Sequence, residues 1–461
     1  MRIHILGICG TFMGGIAAIA KAAGHQVSGS DENVYPPMST QLRKLGIRLQ
    51  EGYDAASFSN GVDCVVVGNV LGRGNAAVEA LLDSGLPYYS GPEWLFDNVL
   101  QDKCVLAVAG THGKTTASSM LAWILDYANH SPGFLIGGVP SNFEISARLG
   151  GSEFFVIEAD EYDTAFFDKR AKFVHYRPRA LSITNIEYDH ADIYADLNAI
   201  LWQFHQLLRT VPNHGLISVN GRDENIGKLL EKGVWTPVET FSSEGGANWS
   251  TSYDFIGAES RFEVFHDGEN VGQACWALAG SHNLENALAA LSCAVYAGVS
   301  IEVALEALSK FKGVKRRLEK RGVFGGVTLY DDFAHHPTAI KATIRALRNQ
   351  KAERRIVVVL EPRSNSMKMG VHQGSLIKAF DEADRVFVLA SEDLKWSPES
   401  VLRPVGDKLS VAWSVDDMLG ELLEELQRGD HVIMMSNGSF QGLPRRLQQA
   451  LKSHEPESAS T

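Results

Sequence analysis

The chain has 461 residues, enough for about three domains of typical size. Hydrophobic residues make up 45% of the sequence and charged residues 21%, which excludes a disordered chain, a fibre and a lone small module. The net charge of −12 argues against nucleic acid as a general partner, because phosphate backbones attract basic surfaces.

The N-terminus, MRIHILGICG, predicts a strand that enters a glycine turn rather than a signal peptide. No apolar run approaches the roughly 18 residues of a membrane span. The cysteine count is odd and no CxxC pair is present, so we expect buried free thiols in a reducing cytosol. These features predict a cytoplasmic protein without a membrane span. The cysteines are Cys9, Cys64, Cys104, Cys275 and Cys293.

Short β-branched runs alternate with helical stretches along most of the chain, which predicts an α/β fold. Strands are predicted over residues 2–8, 62–67, 104–109, 154–157, 180–184, 216–219, 327–330, 356–360, 385–389 and 431–435. Helices are predicted over residues 14–23, 115–128, 198–208, 283–297, 337–349 and 415–427. Three domains follow from this pattern: residues 1–100, residues 101–312 with an antiparallel insert near 235–277, and residues 313–461 with a polar tail from 453 that we expect to fray.

The first predicted strand runs into a glycine-rich turn with Gly7, Gly10 and Gly14, and Asp31 follows further along the chain. This pattern alone suggests a dinucleotide site, but the GxGxxG fingerprint needs glycine at the position that Cys9 holds. The sequence therefore disfavours NAD. A purely structural βαβ unit, whose glycines only pack the helix on the strand, stays open as an alternative.

A second glycine loop, GTHGKTT at residues 110–116, lies between a predicted strand and a predicted helix. Glycines let backbone N–H groups turn toward phosphate oxygens, and the helix N-terminus adds partial positive charge. Lys114 would reach the β- and γ-phosphates, and the Thr115 hydroxyl would bind Mg²⁺. Val108 stands where the full P-loop pattern has glycine, so the loop is a shortened variant. The alternative is a tight turn with a surface lysine.

Polar residues follow the two next apolar strands of this domain. Glu158 is a candidate Mg²⁺ ligand, because hard cations prefer oxygen. Asp160 and Glu161 could instead begin a helix, where carboxylates oppose the macrodipole. Asn185 could contact a phosphoryl group and His190 could bind a second metal ion, unless the segment holds only a capping Asp and an exposed His.

Taken in order, the motifs resemble those of the ATP-dependent Mur ligases of bacterial cell-wall synthesis, and the resemblance covers almost the whole chain. It implies a Rossmann-like UDP-sugar domain, a central P-loop ATPase domain and a C-terminal Rossmann-like domain that receives an amino acid or peptide. The motifs are GTHGKTT at 110–116, EADE at 158–161, TNIEYDH at 184–190, GSHNLEN at 280–286, FKGVKRRLE at 311–319 and YDDFAHHP at 330–337.

The resemblance also implies roles for individual residues, with ATP and two Mg²⁺ ions as the nucleotide and metal. The catalytic set is Lys114, Asn185, His190, Arg317 and His335. The metal set is Thr115, Glu158 and His190. The ATP set is Gly110, Thr111, His112, Gly113, Lys114, Thr115, Thr116, Asn283, Asn286, Arg317 and Asp332. The UDP-sugar set is Gly7, Gly10, Met13, Gly14, Ser30 and Asp31.

The amides Asn283 and Asn286 could instead cap a helix, and Arg317 could belong to a solvated basic run with Lys315 and Arg316. Many Mur ligases carry a carbamylated lysine after the second-metal histidine, but this chain has no lysine between Leu181 and Gly227. The branch that adds the first amino acid to UDP-N-acetylmuramate resembles this chain in that respect.

Two predicted strand-end loops of the third domain resemble those that bind L-alanyl-γ-D-glutamyl-meso-diaminopimelate in the tripeptide-adding branch. The peptide set is Arg363, Asn365, Ser366, Ser436 and Asn437. An L-alanine ligase is the nearest alternative, and Arg363 could be a plain surface residue. A folate polyglutamate synthetase fits less well because its relatives lack such a first domain, and a non-catalytic nucleotide-binding regulator would have lost Lys114, Glu158 or His190. The sequence leaves monomer and dimer open.

Overall fold

The computed structural model describes residues 1–35, 38–54, 58, 61–256 and 259–453, without the side chains of 254–256 and 259–260. The predicted frayed tail beyond Ser453 lies outside the described residues. The strands form three large sheets, which follow one another along the chain, and a separate two-stranded ribbon. This arrangement confirms the prediction of an α/β fold with three domains, each Rossmann-like or of the P-loop type.

The first sheet has five parallel strands in the order β3-β2-β1-β4-β5, which is a Rossmann-like order. Its strands are β1 (Arg2–Leu6), β2 (Gln26–Asp31), β3 (Arg48–Glu51), β4 (Cys64–Val67) and β5 (Tyr88–Ser90). Its helices are α1 (Thr11–Ala22), α2 (Met38–Lys44), α3 (Ala76–Ser84) and α4 (Gly91–Leu95), which continues as a π-helical turn at Phe96–Leu100.

The central sheet places β6 between β9 and β12, all parallel, so that the loops after these three strands meet at one edge. Its strands are β6 (Cys104–Ala109), β7 (Gly133–Leu135), β8 (Ala147–Arg148), β9 (Phe154–Ala159), β12 (Ala180–Ile183), β13 (Leu216–Asn220), β14 (Val238–Ser242), β15 (Trp249–Ile256), β16 (Glu259–His266) and β17 (Glu269–Trp276). The ribbon is β10 (Asp163–Ala165) with β11 (Asp168–Ala171). The helices are α5 (Lys114–Tyr127), α6 (Leu197–Leu208), α7 (Glu224–Leu230), α8 (Ser281–Tyr296) and α9 (Ile301–Ser309).

The third sheet is parallel except for its edge strand β18, which is antiparallel to β19. Its strands are β18 (Glu319–Phe324), β19 (Val327–Asp332), β20 (Ile356–Leu360), β21 (Arg385–Leu389), β22 (Leu409–Ala412) and β23 (His431–Met435). Its helices are α10 (Pro337–Gln350), α11 (Asn365–Met369), α12 (Gln373–Ala379), α13 (Pro398–Val401), α14 (Val415–Glu425) and α15 (Leu443–Ser453).

The first and central sheets share one apolar core, which fixes the first domain against the central domain. Gly15 of α1 faces Leu135 of β7, and a Cβ at Gly15 would lie 2.3 Å from Leu135 Cδ1. Glycine is required there because two elements from different domains approach closely. The predicted domain boundaries after residues 100 and 312 fall at the end of the π-helical turn and ahead of β18.

Two sequence-based expectations are wrong in part, and a third can be stated only of the described residues. The insert near 235–277 is antiparallel only from β15 to β17, because β14 pairs parallel with β13. Cys275 is exposed, contrary to the expected burial, since it lies in an outer strand of this insert. Among the residues that the structure describes, none of the helices combines the length and apolar character needed to cross a bilayer.

Candidate active site

The glycine loop at residues 110–116, predicted to bind phosphate and called the phosphate loop below, follows β6 and packs directly against neighbouring strand ends. Gly110 has φ +135°, and a Cβ there would lie 2.2 Å from Thr184 Oγ1. Gly113 has φ +82°, and a Cβ there would lie 2.3 Å from Asn286 Oδ1. Positive φ and close approach both require glycine at these two positions. The loop then enters α5, whose first turn provides N–H groups for an anion.

Lys114 is only 9% exposed, so the alternative of a surface lysine is wrong. Its Nζ lies 2.7 Å from Glu161 Oε2 and 3.8 Å from Asp160 Oδ1. Burial alone would lower the pKa of Lys114, but the nearby carboxylates outweigh burial and raise that pKa. The lysine is therefore a buried cation at the mouth of the phosphate loop.

Glu161 is 2% exposed and bridges Lys114 to His190, whose Nε2 lies 3.0 Å from Glu161 Oε1. Burial would raise the pKa of Glu161, but Lys114 and His190 lower it to about 2. Burial likewise opposes the charge on His190, yet Glu161 and Asp189 raise the pKa of His190. The alternative that Asp160 and Glu161 begin a helix is wrong, because β9 runs through Ala159 and β10 begins at Asp163.

Thr115 links the phosphate loop to Glu158 and to the start of the third domain. Its hydroxyl donates to Glu158 Oε1 at 2.9 Å and accepts from the Arg317 guanidinium at 3.0 Å. The other oxygen of Glu158 accepts from the Gly137 backbone N–H at 2.6 Å. Two oxygen ligands thus lie together at the strand edge, a donor set that fits Mg²⁺.

Both the oxygen and the nitrogen of the Asn185 side-chain amide form hydrogen bonds with the phosphate loop. Its Oδ1 accepts from the His112 N–H at 2.8 Å, and its Nδ2 donates to the His112 carbonyl at 3.1 Å. The Thr111 hydroxyl also connects the phosphate loop to the segment after Asn185, because it accepts from the Glu187 N–H at 2.8 Å. The structure therefore places Asn185 behind the loop, where it sets the loop's shape. Thr116 is buried in the first turn of α5.

Asn283 and Asn286 lie in the first turns of α8, and neither caps the helix, whose N-cap is Gly280 without a side-chain hydrogen bond. The Asn283 amide donates to the Ala279 carbonyl at 2.7 Å. Asn286 is buried beside Gly113. The capping alternative is therefore wrong. Asn286 borders the phosphate loop, and its amide donates to Asn283 at 3.3 Å.

The third domain brings Asp332 and His335 to the same edge. Asp332 accepts from the backbone N–H groups of Leu318 and Ala334, at 2.6 and 2.7 Å, and burial raises its pKa. His335 Nε2 lies 4.0 Å from Asp189 Oδ2, and burial lowers the pKa of His335 to about 4. Asp332 thus holds the backbone beside Arg317, while a neutral His335 faces the central domain.

Arg316 and Arg317 point to different parts of the molecule. The Arg316 guanidinium donates to the carbonyls of Ser436 and Gly438, at 2.6 and 2.7 Å. Neither arginine belongs to a solvated basic run, so that alternative is wrong for both. Sequence reasoning missed this role of Arg316, although its position next to Arg317 was a usable signal.

The predicted peptide residues surround the loops after β20 and β23. Arg363 is exposed and lies on Gly438, where a Cβ would meet Arg363 Nη1 at 1.6 Å. The Ser436 hydroxyl donates to Glu361. Asn365 Nδ2 donates to Asp192 at 2.7 Å, and the Ala191 N–H donates to the Ser366 hydroxyl at 3.2 Å. Asn437 Oδ1 is buried and has no hydrogen-bond partner among the described residues.

In the first domain, Asp31 organises the glycine turn. Its carboxylate accepts from the Cys9 N–H at 2.8 Å and from the Asn33 N–H at 3.0 Å. Gly7 has φ +79° and donates to the Ser30 carbonyl. The remaining predicted UDP-sugar residues lie in or under this turn: Gly10 at the N-cap of α1, Met13 and Gly14 in α1, and Ser30, whose buried hydroxyl contacts His4.

Several polar residues between the central and third domains escaped the sequence analysis. Glu187 accepts from His112 Nε2 at 3.0 Å and from the Thr338 hydroxyl at 2.8 Å. Asp189 lies between His335 and His372. The motifs TNIEYDH and YDDFAHHP contain three of these residues, Glu187, Asp189 and His336, so the signal was present, but their convergence depends on how the domains pack. The missed set is Glu161, Glu187, Asp189, His336 and His372.

Comparison with known proteins covers the chain nearly end to end. Three family models match it: the Mur ligase family catalytic domain at residues 2–101, the Mur ligase middle domain at 108–294 and the Mur ligase glutamate ligase domain at 316–438. Over 98% of both chains it is 51% identical to the UDP-N-acetylmuramate–L-alanyl-γ-D-glutamyl-meso-2,6-diaminoheptandioate ligase of Escherichia coli K12. It is 32% identical to the UDP-N-acetylmuramate–L-alanine ligase of Oleidesulfovibrio alaskensis, over 95% of this chain and 96% of that one. A murein peptide ligase structure from Psychrobacter arcticus is 44% identical, with TM-score 0.77, and covers 99% of this chain and 100% of its own.

Proposed function

The chain belongs to the Mur ligase family, and we propose that it joins L-alanyl-γ-D-glutamyl-meso-diaminopimelate to UDP-N-acetylmuramate at the expense of ATP. The observation that carries the choice of acceptor is the 51% identity to a tripeptide ligase, against 32% to an L-alanine ligase of similar coverage. The amide forms between the lactyl carboxylate of the sugar and the alanine amine of the peptide. A role in peptidoglycan recycling in the cytoplasm follows from these substrates.

ATP fits the loop at residues 110–116, with Lys114 and Arg317 next to its phosphates. The supporting geometry is the buried lysine, the positive φ of Gly110 and Gly113, and the free first turn of α5. Asn283 and Asn286 border the space for the adenine, and Asp332 lies near the ribose or phosphate. Losing one charged contact to the transferring phosphoryl group costs on the order of 3 kcal/mol, or about 10²-fold in rate.

Two Mg²⁺ ions fit the oxygen and imidazole donors, one at Thr115 and Glu158 and a second at His190. When bound, Mg²⁺ neutralises charge on the transferring phosphoryl group. The Thr115 hydroxyl oxygen accepts a hydrogen bond from Arg317 at 3.0 Å. This hydrogen bond has to break when the same oxygen lone pair binds Mg²⁺. Arg317 is then free to contact a phosphate oxygen.

The reaction begins with transfer of the γ-phosphoryl group of ATP to the lactyl carboxylate, which gives an acyl phosphate and ADP. A carboxylate is a poor electrophile, and phosphorylation supplies a leaving group. The alanine amine attacks the acyl carbon, a tetrahedral intermediate forms, and phosphate leaves as the amide closes. Lys114 and Arg317 stabilise the charge on the transferring group. His335 faces the same edge, and closure of the third domain excludes water that would hydrolyse the acyl phosphate.

The loops after β20 and β23 fit the peptide acceptor. Arg363 is exposed at the rim, where its guanidinium can bind a carboxylate with two hydrogen bonds. Ser366 and Asn365 contact the central domain at Ala191 and Asp192, so the acceptor loop lies within reach of the phosphoryl site. Ser436 and Asn437 complete the acceptor side.

The glycine turn of the first domain takes the diphosphate and uridine of the UDP-sugar, with Gly7, Gly10, Gly14 and Ser30 in the backbone cradle. Asp31 supports this cradle through the Cys9 N–H. Met13 packs beneath it. Domain boundaries after residues 100 and 312 separate the UDP-sugar, ATP and acceptor functions in this proposal.

The deciding experiment measures phosphate release with Mg-ATP and UDP-N-acetylmuramate, with the tripeptide or free L-alanine as acceptor. We expect turnover with the tripeptide and none with L-alanine. Turnover with L-alanine alone would assign the chain to the other branch and leave the ATP and UDP-sugar roles intact. A matched reaction without any acceptor corrects for ATP hydrolysis.

A further inference from the structure

Three potential metal ligands converge where the central domain meets the third domain. His112 and Glu187 come from loops after β6 and β12, and His336 is the N-cap of α10. Their ligand atoms all lie within 4.8 Å of one another. None of the three belongs to the Mg²⁺ set of Thr115, Glu158 and His190.

We propose that His112, Glu187 and His336 form a site for a divalent transition-metal ion such as Zn²⁺ or Co²⁺, which bridges the central and third domains. The ligand chemistry favours this class over Mg²⁺, because imidazole nitrogen suits Zn²⁺ and Co²⁺ whereas Mg²⁺ prefers oxygen. The site shares no residue with the proposed Mg²⁺ ligands Thr115, Glu158 and His190, and it differs from the site at Thr115 and Glu158 by its two imidazoles.

The distances suit a tetrahedral ion. His112 Nε2 lies 3.0 Å and His336 Nδ1 lies 3.3 Å from Glu187 Oε2. A tetrahedral ion with bonds of about 2.1 Å holds its ligand atoms roughly 3.4 Å apart. Each imidazole nitrogen therefore needs to move away from Glu187 Oε2 by only a few tenths of an ångström, and all three ligand atoms already lie within 4.8 Å of one another. A fourth position remains for water or a phosphate oxygen.

His336 and Glu187 have the protonation states that metal ligands need. Burial lowers the pKa of His336 to about 3, so this imidazole is neutral at physiological pH. Burial would raise the pKa of Glu187, but His112, His336 and Thr338 lower it to about 2, so the carboxylate is ionised. Metal binding leaves Glu187 and His336 without a proton to release, but it needs the tautomer of His112 with its proton on Nδ1, because Nε2 donates to Glu187 in this structure. An ion at His336 Nδ1 would also replace the hydrogen bond that this nitrogen accepts from the Thr338 N–H at 3.3 Å.

The Thr338 hydroxyl contacts both oxygens of the Glu187 carboxylate and so fixes its orientation. The hydroxyl lies 2.8 Å from Glu187 Oε2 and 3.1 Å from Oε1. Carboxylates that bind metals are in general held by such outer hydrogen bonds. The rings of His112 and His336 lie 4.4 Å apart, tilted by 42°, and each has a nitrogen within 3.3 Å of Glu187 Oε2.

The ion would stabilise the arrangement in which the third domain lies against the phosphate loop, because His336 belongs to the third domain and the other two ligands to the central domain. A ligand that binds one arrangement of two domains more tightly shifts the population toward it. Zn²⁺ at this site would therefore hold the domains together and slow the release of products.

The test uses the untagged full-length protein without nucleotide, in excess Mg²⁺ to fill the oxygen-rich sites, and titrates Co²⁺ while the visible spectrum is recorded. We expect one equivalent of Co²⁺ with the intense bands of tetrahedral coordination, displaced by Zn²⁺. His336→Asn keeps a side chain able to cap α10 but removes the imidazole, and we expect at least about 100-fold weaker binding, beyond the 10–100-fold typical of outer partners.

Glu187→Gln tests the central-domain ligand in the same way, and keeps the proposal testable should the first variant fail to fold. His214→Asn, which removes an exposed histidine of the central domain, is the matched control and should bind Co²⁺ as the wild type does. An octahedral spectrum in the wild type, or unchanged binding in both variants, would overturn the proposal. The readout is independent of the ligase reaction, so its failure leaves the proposed function untouched.

Discussion

The ammonium of Lys114 lies 2.7 Å from the Glu161 carboxylate, and both side chains are buried at the mouth of the phosphate loop. Glu161 also contacts His190, so the proposed catalytic lysine and the proposed second metal ligand share one anion. A buried cation needs such a partner, because an unpaired charge in this environment is costly. Nucleotide phosphates therefore have to compete with Glu161 for Lys114.

Removal of the lysine should abolish turnover while UDP-sugar binding stays nearly intact. Lys114→Ala deletes the cation next to the transferring phosphoryl group, which costs at least about 10²-fold in rate. Phosphate release gives the rate, and calorimetric titration gives UDP-N-acetylmuramate affinity. Lys169→Ala removes an exposed lysine that is paired with Asp163, and should behave as the wild type. A Lys114→Ala enzyme with more than about a tenth of the normal rate would contradict the phosphate role.

Glu161 should make stability depend on acidic pH. Its pKa falls from 4.5 to about 2 on folding, so between these values the unfolded chain takes up a proton that the folded chain does not. Stability from this group is therefore fully present above about pH 4.5 and is lost as the pH falls toward 2.

Urea unfolding of the wild type and of Glu161→Gln, followed from neutral pH into the acid range, measures this contribution. We expect the wild type to lose its advantage over Glu161→Gln as the pH falls below about 4.5. A stability difference that stays constant with pH would contradict the lowered pKa. Glu353→Gln, which changes an exposed carboxylate in the third domain, provides the comparison for general acid effects.

The fold was largely predictable because buried parallel strands are apolar on both faces. The strands at residues 104–109, 356–360, 385–389 and 431–435 were predicted with their observed bounds. The strand β2, of sequence QVSGSD, was not predicted, because most of its residues are polar or glycine and form no apolar run. Short edge strands such as β8 and β22 carry too few residues for a periodic signal.

The sequence could predict part of the candidate site only where the residues concerned lie together in one contiguous motif. The loop at 110–116 carries glycines, a lysine and a threonine in one run, so the turn and the start of α5 could be predicted from the local pattern. The partnership of Glu161 with Lys114 depends on the pairing of β6 with β9, and that of Glu187 with Thr338 depends on domain packing. Neither relation has a signature in residue spacing.

Arg316 should control the acceptor site, although it adjoins an ATP-site residue. It donates hydrogen bonds to the carbonyls of Ser436 and Gly438, and bonds of this charged type contribute about 1.5–3 kcal/mol each. Arg316→Lys loses the forked geometry, so we expect the KM for the tripeptide to rise at least about tenfold while the KM for ATP stays unchanged.

Initial rates with one substrate varied at a time separate the two constants. Arg321→Lys, at an exposed arginine paired with Glu319, is the matched control and should leave both constants unchanged. An equal rise in both KM values for Arg316→Lys would show a general disturbance of the third domain instead of a loop effect.

A methyl group at Gly438 should displace Arg363 from the acceptor rim. A Cβ there would lie 1.6 Å from Arg363 Nη1, far closer than van der Waals contact, so the guanidinium must leave its present position. We expect Gly438→Ala to reduce kcat/KM for the tripeptide by about tenfold or more, the equivalent of one charged hydrogen bond. ATP binding should persist, because the phosphate loop lies in another domain.

Gly420→Ala provides the control, because it adds a methyl group within α14 where no other atom lies within 4 Å. That change should leave the kinetics unaltered and stabilise the helix by about 0.5–1 kcal/mol. The double variant Gly438→Ala with Arg363→Ala then tests the mechanism directly. If the methyl group acts only by moving Arg363, it adds no further loss once Arg363 is gone; an additive loss would mean that Gly438 contacts the peptide itself.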